Sequence, residues 1–104
     1  MPHLPFVAGD IVSVLSQDGK YRILKVLVVD EGGLFTQLYA QQFTDRPRLI
    51  NIIRLSTPAF GPVNFPVTHE QFAQCRPEVL AYQRVNDEDL EDYRLWVKDN
   101  GTYS

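Results

Sequence analysis

Two β-rich runs, Asp10–Leu15 and Tyr21–Val29, flank a short polar segment that contains Asp18-Gly19. An Asp-Gly pair in that setting is a strong hairpin signal, because glycine accepts the positive φ of a tight reversal. A two-residue type I′ loop would set Leu15 opposite Arg22 and Ser13 opposite Leu24, and this is the expected register. The second run constrains the fold further. Ile23, Leu24, Val26, Leu27, Val28 and Val29 do not alternate with polar residues. Both faces of such a strand must be covered, so a lone curved sheet does not suffice.

The remaining elements follow from turn and capping signals. Asp30-Glu31-Gly32-Gly33 is expected to be the next turn, with its glycines supplying positive φ. A third strand, Leu34–Gln41, follows. Pro47 marks residues 43–48 as a loop. The isoleucines of Leu49–Leu55 point to a fourth strand. Ser56–Pro66 holds Pro58, Gly61, Pro62 and Pro66, and is expected to be an ordered connection. Thr68 and Gln71 form a capping-box pair before a short helix, His69–Gln74. Glu78–Val85 reads as a fifth strand. Asn86 is expected to cap a helix over Asp87–Lys98, stopped by Asn100-Gly101. Leu90, Tyr93 and Val97 share one face of that helix, with Trp96 alongside. This face is the expected cover for the second strand.

At 104 residues the chain can bury a core without disulfides. Cys75 is its only cysteine, so neither an internal disulfide nor a cysteine-based zinc site can form. His3 and His69 are the only histidines and lack metal-ligand spacing; no metal or cofactor is expected. Cys75 reads as a small buried apolar residue, since only Arg76 stands by to activate it. No acid, base and nucleophile set emerges, so no catalysis is expected. The N-terminal residues carry no secretory signal pattern and no run reaches membrane-spanning length, which points to the cytoplasm.

Two charged groupings remain. Five carboxylates fall within Asp87–Asp92. The simplest reading is a solvated helix start favoured by the helix dipole. The same stretch suits a surface for a basic protein partner, with Glu88, Glu91, Asp92 and Trp96 as the partner-binding candidates. On the other side, Lys20, Arg22, Lys25, Arg46, Arg48 and Arg54 stand among Tyr21, Phe35, Tyr39 and Phe43. That mixture fits the alternative, a small nucleic-acid or ribonucleoprotein-binding module. The net charge of −3 disfavours general nucleic-acid binding.

The run Gly9-Asp10-Ile11-Val12-Ser13-Val14, then Asp18-Gly19-Lys20-Tyr21 and Lys25-Val26-Leu27, resembles the opening of SH3-like or Tudor-like small barrels. In particular it is similar to bacterial immunity proteins of polymorphic toxin systems. The resemblance covers the chain to about residue 40. Arg22-Ile23-Leu24-Lys25 departs from it where such proteins often place a glycine. The resemblance implies inhibition by binding, with a toxin as the partner and no catalytic residues. The expectation is therefore one α+β domain over residues 1–104. It comprises a strongly bent antiparallel sheet or SH3-like barrel at 6–55 and a helix-strand-helix part at 67–100 packed on it. Its expected role is that of a non-catalytic bacterial protein-binding module.

Overall fold

The computed structural model describes residues 6–103. The chain forms β1 (Asp10–Leu15), β2 (Tyr21–Val29), β3 (Gly33–Phe43), a 3-10 turn (Ile52–Arg54), β4 (Val63–Thr68), α1 (His69–Gln74), β5 (Glu78–Tyr82), a second 3-10 turn (Glu88–Leu90) and α2 (Glu91–Lys98). The strands make one antiparallel sheet in the order β4-β3-β2-β1-β5. The sheet does not close, and β4 and β5 are its edges. The class is thus α+β, an open five-stranded sheet with a C-terminal helix.

The first hairpin forms at the expected place in a different register. Leu15 pairs with Tyr21, Val14 with Arg22, and Ser13 with Ile23. The loop is three residues, Gln17-Asp18-Gly19, with the Gly19 amide donating to the Ser16 carbonyl at 3.0 Å. Asp18 Oδ1 also accepts the Lys20 amide at 3.0 Å, and Gly19 sits at φ +82°. This arrangement has the signature of a type I turn followed by a left-handed glycine. One residue of slip moves every side chain to the opposite face. It sets Arg22 against Val14, and Leu24 against Val12, in place of Leu15 and Ser13.

Both faces of β2 are covered, as its composition demands. On one face Leu24 and Val26 pack with Val12, Val14, Leu34 and Phe72, with Phe65 and Val67 of β4 against them. Phe72 of α1 is 3% exposed and is the main contribution of that helix. On the other face Ile23 packs with Ile11 and Tyr39, and Ile50, Ile52, Leu55 and Leu80 cover them. Two register shifts between β2 and β3 and one between β1 and β5 interrupt the ladders, and bulges of this kind bend and twist a sheet.

Two expectations about the middle of the chain are corrected. Leu49–Leu55 is not a strand. Asn51 caps a single 3-10 turn by accepting the Ile53 amide at 3.1 Å, which removes that amide from any ladder. Conversely, the connection expected over Ser56–Pro66 runs into β4. Pro66 is accommodated because β4 is an edge strand, where the missing N–H can point away from its neighbour. Neither Gly32 nor Gly33 adopts positive φ. Gly33 is required by close approach instead, since a Cβ there would collide with the Val67 carbonyl and the Tyr103 ring.

The C-terminal half opens as its capping signals indicate. Thr68 and Gln71 form the reciprocal capping box of α1. β5 ends at Tyr82, short of the expected Val85, where β1 itself begins at Asp10; the Gln83 amide makes one further bond to the Gly9 carbonyl at 2.9 Å. Asn86 and Asp89 exchange side-chain-to-amide bonds of 3.1 Å in both directions. That reciprocal pair starts the helical segment, whose first turn is 3-10 before α2 begins.

Candidate functional site

The helix α2 is fastened at both ends, and the fastening decides which of its residues face outward. Asp30, in the turn between β2 and β3, accepts the hydroxyls of Tyr93 and Tyr103 on Oδ2, each at 2.9 Å. Burial, then the hydrogen bond to Asp30, raises both phenols above their ordinary value. Trp96 lies 5.5 Å from Phe35 and 4.8 Å from Tyr103 between ring centroids. Tyr93 is 5.4 Å from Phe35. Gly101 lies directly on the indole, where a Cβ would collide with it. Asn100 supplies the left-handed residue that ends the helix, at φ +62°, and the Gly101 amide returns to the Trp96 carbonyl at 2.8 Å.

This geometry corrects the expected helix contact. Tyr93 does face the sheet, but its companion is Trp96, and both meet Phe35 of β3 at the sheet's end. Val97 remains 49% exposed. Leu90 is half-buried in the second 3-10 turn. The principal covers of β2 are α1 and the segment around residues 50–55.

The acidic stretch is divided between anchoring and exposure. Asp89 meets Lys25 Nζ at 3.5 Å. Lys25 is only 3% exposed and also donates to the Arg84 carbonyl at 3.1 Å and to Gln83 Oε1 at 3.4 Å. Asp92, though exposed, accepts Asn64 Nδ2 of β4 at 2.8 Å. Asp87 pairs with Arg94 at 2.8 Å. Glu88 and Glu91 stand exposed, with no ion pair among the described residues.

Of the four partner-binding candidates, then, Glu88 and Glu91 are free surface groups and Asp92 is tied to β4. Trp96 is turned inward as a packing residue. Leu95, which sequence reasoning missed, is 58% exposed. With Glu91, Arg94 and Lys98 it frames a shallow surface depression. The signal was legible in principle, because Leu95 sits four residues after Glu91 and off the Tyr93/Trp96 stripe.

The basic residues do not gather into one surface. Arg46 donates to the Ser13 carbonyl and hydroxyl at 3.3 and 2.8 Å and to the Arg76 carbonyl at 2.8 Å. It also approaches Glu78 at 3.5 Å and lies 4.7 Å over the Tyr21 ring. Lys25 is buried, and Tyr39 and Phe35 belong to the interior. Lys20, Arg48 and Arg54 are the exposed remainder.

His3 lies outside the described residues. His69 Nε2 is 2.6 Å from the Asp30 carbonyl, so that nitrogen carries the proton and donates. Cys75 is half-buried beside the Val12/Leu24 cluster. Among the described residues no group of three or more His, Cys, Asp or Glu side chains could hold a metal ion. No helix of the described residues is long and apolar enough to cross a membrane. No protein-family model matches the chain, and no curated protein or solved structure matches it either.

Proposed function

We propose that this chain is a non-catalytic protein-binding module that presents the outer face of α2 to a basic partner. The observation that carries the reading is the division of the C-terminal segment. Its aromatic stripe is committed to Phe35, while Glu88, Glu91 and Leu95 point to solvent. An exposed leucine with Glu91, Arg94 and Lys98 around it supplies an apolar anchor and a charged rim, the usual anatomy of a binding patch, and Glu88 and Glu91 are its unpaired carboxylates. The net charge of −3 would steer a basic protein toward it.

A bacterial immunity protein that neutralises a basic toxin in the cytoplasm is the particular form of this reading. The opening resemblance to SH3-like barrels supports it. So does the strand order, in which the last strand returns to pair with the first. An open relative of the SH3-like barrel fits both observations.

The test compares wild type with Glu88→Lys/Glu91→Lys and with Leu95→Asp, each first checked for a native spectrum. Proteins from the native host that are retained by wild type are then quantified. A basic protein lost by both variants, with tenfold or greater weakening, is the expected result. Identical retention by all three proteins would refute the role of this face. Micromolar RNA binding that weakens steeply with salt would favour the nucleic-acid alternative instead.

A further inference from the structure

A cavity of about 380 Å³ opens on the face of the sheet that carries the Val14/Leu24/Phe72 cluster. Its walls are mostly apolar: Leu24 and Leu38 of the sheet, Phe65 and Val67 of β4, and Phe72 of α1. The volume falls within the range of small-molecule pockets, roughly 300–1,000 Å³. One charged side chain, Arg22, lines it. The hairpin register is the reason. Opposite Val14, with Leu24 opposite Val12, Arg22 joins the face that carries the Val12/Val14 cluster instead of meeting Leu15 and Ser13. Its Nη2 reaches Asp18 at 3.6 Å on the solvent side, but its Nε is buried and has no hydrogen-bond partner. A buried N–H of a guanidinium strongly favours an acceptor, and an anionic one most of all.

We propose that this cavity binds an aliphatic monocarboxylate, with the acid group at Arg22 Nε and the tail along Leu24, Leu38, Phe65 and Phe72. The Asp18 pair is long, at 3.6 Å, and exposed to solvent, so it offsets little of the guanidinium's charge, which matches a single carboxylate. A phosphate dianion would find no second cation in the lining. The apolar walls match a hydrocarbon tail by area burial. Cys75 also lines the cavity and is the chain's only cysteine, so its thiol reports occupancy without a label.

The probe is decanoate, with decanol and decyltrimethylammonium as neutral and cationic comparators, all kept below micelle-forming concentrations. Titration of isotopically labelled protein should give saturable binding of decanoate, about tenfold or more tighter than decanol. The shifted resonances should include Leu24, Leu38 and Phe72. Decanoate should also slow modification of Cys75 by a disulfide reagent several-fold. Arg22→Met should bind decanoate and decanol equally. If that variant does not fold, the salt dependence of wild type decides the matter: decanoate should weaken with added salt and decanol should not. Decanol binding as tightly as decanoate would overturn the proposal. So would an unchanged Cys75 rate under saturating decanoate. A short peptide ending in leucine that outcompetes decanoate would likewise overturn it, by assigning the site to peptide C termini. None of these outcomes bears on α2, so they test the cavity independently of the protein-binding role.

Discussion

A Cβ added at Gly19 would meet nothing within 4 Å, whereas one at Gly33 would strike the Val67 carbonyl and the Tyr103 ring. The two glycines therefore answer to different physics. Gly19 is selected by its φ of +82°, and Gly19→Val should cost on the order of 1–2 kcal/mol through backbone strain. Gly33→Ala forces apart β4 and the C-terminal tyrosine and should cost about 1–3 kcal/mol despite the smaller side chain. Urea denaturation of both variants checks this, and an unchanged midpoint for Gly33→Ala would remove the close-approach argument. Lys25 makes a second residue-scale case. Asp89→Ala leaves a buried ammonium without its counter-ion and should destabilise by about 1–3 kcal/mol. Lys25→Met removes the charge and keeps the volume, so it should cost less than Asp89→Ala. The reverse order in a denaturation series would show that Asp89 is not the anchor described here.

The attachment of α2 depends on Tyr93 and Tyr103 remaining protonated. Both hydroxyls donate to Asp30, and their folded pKa values lie above the ordinary 10.0. A raised folded pKa means that the folded state holds the proton more tightly than the unfolded chain does. The associated stability is fully present below pH 10 and falls as pH rises beyond it toward the folded values. Trp96 is the chain's only tryptophan and lies against Tyr103, so its fluorescence reports the helix. Alkaline titration should change that fluorescence above about pH 10, where the unfolded phenols begin to ionise. The Tyr93→Phe/Tyr103→Phe variant should show a flatter stability-pH profile over the same window. Superimposable profiles for variant and wild type would exclude Asp30 as the alkaline-sensitive latch.

An open sheet of five strands relies on what is packed across it. The segment around residues 50–55 and α1 cover the two faces, while α2 covers only the Phe35 end. Removal of the chain from Asn86 onward would uncover Phe35, take the Asp89 counter-ion from buried Lys25 and take both tyrosine hydroxyls from the Asp30 carboxylate. The 1–85 fragment should therefore aggregate or lose its cooperative unfolding transition, measured by light scattering and calorimetry. A monomeric fragment with a sharp transition would make α2 an appendage. Charge reversal at Glu88 and Glu91 should by contrast leave the transition within about 0.5 kcal/mol, because neither side chain supports the sheet.

What could be read directly from the chain was local. The bounds of β1 and β2, the capping box of Thr68 and Gln71, the Asn86 start and the Gly19 turn each depend on residues a few positions apart. The doubly apolar β2 also stated that two covers were needed, though not which ones. Tertiary structure decided the rest. Leu49–Leu55 and Val63–Thr68 have comparable β content. Only the second found a strand edge to pair with, while Asn51 captured an amide within the first. Asp18 accepted the Lys20 amide and lengthened the loop by one residue. The resulting register set Arg22 against Val14 instead of Leu15. Trp96 went inward because Phe35, Tyr103 and the bare backbone of Gly101 surround a space of its size. Periodicity along the chain can mark an apolar face, but the shape of the space that receives it belongs to residues far apart in sequence.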